Sequence, residues 1–134
     1  MRRVMPVILT AAAFLVLLDM VGALTGKPLG FPYSRLGVVS LLVYVVTGAI
    51  GASRINLGVG IAAAAVVGFL DGTLGPLLAW LIGHGPVGQS ITEPGVFAYR
   101  IAVVTGTATA AGLLGAAAGV LLAKHTARTS LKRS

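Results

Sequence analysis

Between Leu57 and Ile82 the chain runs for about 26 residues with a single charged side chain, Asp71. A helix needs roughly 20 apolar residues to cross the hydrocarbon of a bilayer, so this run is long enough to span. Lipid offers the backbone no hydrogen bonds, which leaves a helix as the way for one segment to cross. Three other runs obey the same rule, and the expected spans are about 4–24, 36–52, 57–82 and 97–123, with a basic tail at 124–134. The fold class expected is all-α: a polytopic membrane protein with four transmembrane helices in one compact bundle.

Composition agrees. The 134 residues are 57% hydrophobic and 10% charged, against roughly 25% charged in a soluble domain. So few charges cannot cover a water-facing surface. The net charge of +7 raises nucleic acid as a partner, but the basic residues sit at the termini and in loops that flank apolar runs. That distribution sets membrane orientation, and no nucleic-acid partner is expected. With no cysteine, disulfides and thiolate metal sites are excluded.

The first run begins after Arg2 and Arg3 and has the look of a secretory signal. Asp19 interrupts it late, so a retained helix is the expectation. Gly26, Lys27, Pro28, Gly30 and Pro32 then mark a turn-forming loop, and Ser53 to Asn56 a tight connection. The third run exceeds what a span needs. It is expected either to tilt or to break at Gly72, Gly75 and Pro76, since proline removes a helical donor and glycine weakens the turn. A loop at 83–94 carries His84 and Glu93, two potential ligands without a third. No metal site and no cofactor is expected from them.

Four spans place both termini on one side. Arg2, Arg3, Arg54, Lys124, Arg128, Lys132 and Arg133 collect there, against Lys27, Arg35 and Arg100 on the other. The excess predicts cytoplasmic termini in a cell's inner (plasma) membrane, with anionic headgroups as partners of the basic ends. Five of the eight aromatics (Phe31, Tyr33, Trp80, Phe97 and Tyr99) flank the opposite loops, as in an interfacial belt.

Two halves of the chain run in parallel. Leu18-Asp19 is matched by Leu70-Asp71, and Arg35-Leu36-Gly37-Val38-Val39-Ser40 by Arg100-Ile101-Ala102-Val103-Val104-Thr105. A pair of repeated helical hairpins, each with an acid in its first helix and an arginine opening its second, is one reading. Small residues recur every fourth position in the last run, as Ala108, Gly112 and Ala116 and as Ala111, Gly115 and Gly119. Such stripes let helix backbones approach closely. Two stripes exceed what one neighbour needs, which adds a homo-oligomer or a larger membrane complex to the expected partners beside the lipid.

Asp19, Asp71, Arg35 and Arg100 are the intramembrane charge sites. A charge at a helix centre costs about 2.5–3.5 kcal/mol on insertion scales, so each needs a reason. One reason is pairing, Asp71 with Arg100 or Arg35. The other is proton or ion coupling. Intramembrane aspartic proteolysis is excluded because Gly68-Phe69-Leu70 precedes Asp71, where that family needs Gly-x-Gly. Asp71-Gly72-Thr73-Leu74 opens like the CDP-alcohol phosphotransferase motif, but Gly75-Pro76 stands where Ala-Arg is required and the later aspartates are missing. No catalytic residue is expected. The chain reads as a small non-enzymatic membrane protein, structural or accessory through its Gly/Ala faces. The alternative is a small oligomeric transporter or channel using Asp71 and Asp19.

Overall fold

The computed structural model describes residues 4–29, 34–81 and 93–131. They form four helices: α1 (Met5–Leu29), α2 (Ser34–Arg54), α3 (Leu57–Leu81) and α4 (Pro94–Leu131). All four are long and apolar enough to cross a membrane, and the described residues contain no strand. Their outer faces are as apolar as their inner ones: Leu9 is 60% exposed, Leu114 70% and Leu121 68%. Faces of this kind are compatible with lipid contact and would be a liability in water.

The sharpest local signal is at the α2–α3 connection. Ile55 N–H donates to the Gly51 carbonyl at 3.2 Å, closing α2. Asn56 then caps α3, its Oδ1 accepting from Val59 N–H at 2.9 Å. A cap of this type satisfies a helix donor that has no intrahelical partner. Asn56→Ala should therefore cost about 1 kcal/mol, measured by unfolding the detergent-solubilised protein.

Packing rests on small residues. A Cβ added to Gly48 would come within 2.9 Å of the Gly112 Cα, one on Gly119 within 2.9 Å of the Ala49 Cα, and one on Gly51 within 2.8 Å of the Gly60 Cα. Gly115 abuts the Val45 backbone, Gly112 abuts Ala64, and Gly68 abuts Ala108. One small stripe of α4 thus closes on α3, and the other lies against α2. The need for a second neighbour is met inside the chain, and Gly112, Gly115 and Gly119 serve packing among α2, α3 and α4. Pairing order gives direction: α2 runs parallel to α4, and α3 runs antiparallel to both. Leu15, Tyr44, Val67, Ala108 and Ala111 form the core where the helices meet.

α1 stands apart from this triad. It packs on α3 and more lightly on α2, and no described residue brings its backbone close to α4. Exact hairpin equivalence would pair α1 with α4 as α3 pairs with α2. The packing does not follow that pattern, so the repeat is confined to local sequence likeness.

Three boundaries differ from expectation. α1 continues through Gly26, Lys27 and Pro28 to Leu29. α4 takes in Pro94 and much of the basic tail. At 1.5 Å per residue its 38 residues measure roughly 57 Å, well beyond a hydrocarbon core of about 30 Å. The third difference is at Pro76, which lies inside an unbroken α3. Packing on both sides explains it. Pro76 is fully buried. A Cβ on Gly72 would lie 3.3 Å from the Ile101 Cα and the Val104 Cβ, and Gly75 abuts Asp19. These glycines are points of close approach that hold the helix between α1 and α4. The helix break expected at Gly72, Gly75 and Pro76 does not occur.

Candidate functional site

The polar groups of the bundle converge. A cavity of about 210 Å³ is lined by Asp19 from α1, Ser40 and Tyr44 from α2, Asp71 from α3, and Arg100 and Thr107 from α4. Each helix contributes, and helical spacing explains how. Ser40 and Tyr44 are four residues apart on α2 and share one face, as do Arg100, Val104 and Thr107 on α4. On α3, Asp71 and Gly75 are likewise four apart. Gly75 receives the Asp19 carboxylate where a side chain would have blocked it. Asp19 and Asp71 are thereby brought to one site, although 52 positions separate them in the sequence.

Tyr44 donates its phenolic hydrogen to Asp71 Oδ2. Tyr44 is only 3% exposed, and the bond is partly buried at the cavity wall. Tyr44 lies ten residues from either end of α2, roughly 15 Å along its axis. Arg100 acts on Asp71 through its charge, and Asp19 acts on Tyr44 in the same way. The four groups form one electrostatic unit.

Of the expected charge sites, Asp19, Asp71 and Arg100 meet here. Arg35 opens α2, but its side chain falls outside the described residues, as do His84 and most of its loop. Glu93 is described and exposed. Tyr44 was missed by sequence reasoning. Its signal was available: a lone phenol in the middle of a span needs an acceptor, because an unpaired polar group is expensive in hydrocarbon.

One polar atom beside the cavity is unmatched. Arg100 Nε is buried and has no hydrogen-bond partner. A buried unpaired donor costs about 1–3 kcal/mol, and more when it is charged. Thr105 Oγ1 is unmatched too, but it faces a separate groove between α3 and α4. Thr73 and Thr109 turn their hydroxyls onto carbonyls of their own helices and contribute nothing to the cavity.

No family model, curated protein or solved structure matches this chain, so the reading of the site rests on its own geometry.

Proposed function

We propose that this chain is a small non-enzymatic membrane transporter, whose working site is the four-helix cavity and whose coupling acid is Asp71. The observation that carries this reading is the cavity itself. Two carboxylates, a phenol and a guanidinium are gathered at one cavity from four apolar helices. Ionisable groups held inside a membrane bundle belong, by default, to ion or proton pathways. A structural salt bridge would need two of these groups and no cavity.

The accessory reading loses its main support, because both small stripes of α4 are taken by α2 and α3. It retains one outer surface, where Ala98, Ala102, Gly106 and Ala110 are exposed. The same proposal places the termini in the cytoplasm of a plasma membrane, from the excess of Lys and Arg at that end. The basic ends then contact anionic headgroups, at about 1 kcal/mol per residue near the surface.

The test is flux. Purified protein in liposomes with an internal pH-sensitive dye should carry protons or monovalent cations down an imposed gradient, and Asp71→Asn should reduce that rate at least tenfold. A wild type that carries neither protons, sodium nor potassium, yet co-purifies with partner proteins in mild detergent, would replace this reading with the accessory one.

A further inference from the structure

We infer that the ion taken up at Asp71 is the proton and not a metal cation; this rests on the transport reading above and names its coupling ion. Access comes first. Asp71 is partly exposed and stands on the cavity wall. Gly37, Leu41, Val103 and Thr107 on the same wall are exposed, so the cavity opens between α2 and α4. The ionisable groups that share the wall with Asp71 are Asp19 from α1, Tyr44 from α2 and Arg100 from α4.

The count of available oxygens separates the two kinds of ion. A sodium or potassium ion sheds its hydration shell only where protein oxygens replace it, and in membrane proteins rings of carbonyls or unwound helix backbone supply them. Here α2, α3 and α4 pass the cavity without a break, so their carbonyls are engaged in helical bonds. Pro76 takes the donor from one carbonyl, that of Gly72, but Gly72 is buried and off the cavity wall. Among the described residues no three His, Cys, Asp or Glu side chains are grouped to hold a metal ion. Tyr44 covers Asp71 Oδ2 with its phenolic hydrogen, so a cation cannot sit across both carboxylate oxygens.

A proton needs far less. It forms one covalent O–H bond on one lone pair, which Oδ1 supplies while Oδ2 keeps the phenol. Hydronium in the cavity gives its proton to Oδ1, leaving a water and a neutral carboxyl; release to water restores hydronium and the carboxylate. The cavity has room for the carrier, since 210 Å³ matches roughly seven waters at a liquid share of about 30 Å³ each. A hydroxyl both donates and accepts, so Thr107 on the wall can join a chain of those waters. The neutral carboxyl also sheds the cost that a charge carries inside hydrocarbon.

Two measurements on the full chain test the inference. In liposomes with an internal pH dye, and with valinomycin and potassium to carry the counter-charge, a pH gradient should acidify the lumen at least tenfold faster than in protein-free liposomes. Without valinomycin, uptake of radioactive sodium or rubidium should not exceed that of protein-free liposomes. Asp71→Glu keeps a carboxyl and should hold proton flux within threefold of the parent, which covers the case in which Asp71→Asn fails to assemble. In nanodiscs, infrared difference spectra should show a carboxyl band that appears on acidification and is missing from Asp71→Asn. Its pH midpoint should stay fixed when sodium or potassium is raised tenfold at constant ionic strength. Sodium or rubidium uptake that depends on Asp71, or a midpoint that falls as those ions are raised, would overturn the proton assignment and leave the transport reading in place. Absence of proton, sodium and rubidium flux alike would overturn both.

Discussion

Gly115→Leu is expected to abolish the folded bundle. A Cβ at this position would lie 2.7 Å from the Val45 carbonyl carbon and 2.9 Å from its Cα. These are backbone atoms of a facing helix, so no rotamer change can relieve the contact. Either α2 and α4 separate along their length or the variant does not assemble. Overpacking typically costs about 1–3 kcal/mol and occasionally more, and a clash with backbone belongs at or beyond the top of that range. Gly106→Ala is the control. It is on the same helix, but nothing lies within 4 Å of an added Cβ there. Removing a mid-helix glycine should then favour α4 by up to about 1 kcal/mol. Size-exclusion profiles and thermal unfolding in detergent should show Gly115→Leu aggregated or melted and Gly106→Ala at least as stable as the parent. Equal behaviour of the two variants would refute the packing scheme.

The second large effect is expected at Tyr44. Tyr44→Phe removes one oxygen and leaves the Asp71 carboxylate without its phenolic donor. Hydrogen bonds to charged groups contribute about 1.5–3 kcal/mol. Measured interhelical bonds in membranes average nearer 0.6 kcal/mol and reach about 1.7. We therefore expect a loss of about 1–2 kcal/mol, the buried end of that membrane range. The loss should shrink to a few tenths of a kcal/mol when the same change is made in an Asp71→Ala background, which leaves the phenol no acceptor there. A double-mutant cycle by unfolding measures this coupling directly. A coupling of zero would mean that the phenol and the acid do not act on each other. On the transport proposal, flux should respond as well, because the Asp71 carboxylate loses its donor.

The four spans were legible because lipid imposes so coarse a rule: enough consecutive apolar residues make a crossing helix. The small stripes were legible too, since Gly112, Gly115 and Gly119 repeat at helical spacing. Which neighbour fills a stripe is a property of the assembled bundle, and one run of sequence does not contain it. Gly72, Gly75 and Pro76 were misread for a related reason. Propensity scales describe a helix in water with no neighbours, whereas here Gly72 is backed by α4 and Gly75 by α1. Asp19 and Asp71 stood out as charges in apolar runs. Their convergence was hidden, because it depends on α1 lying parallel to α3 in one register. Tyr44 was hidden by its chemistry, being an aromatic that reads as packing until its hydroxyl is counted.

The light seating of α1 bears on how the protein is made. In synthesis from the N-terminus, α1 is made before α3, the main surface it packs on. Asp19 must therefore reside in the membrane before Gly75 and Tyr44 exist to receive it. An acid held in hydrocarbon before its neighbours exist is costly, and docking of α1 relieves that cost. Only when Leu81 has emerged can α1 dock. The cavity takes residues from all four helices, so it cannot close before α4 is made.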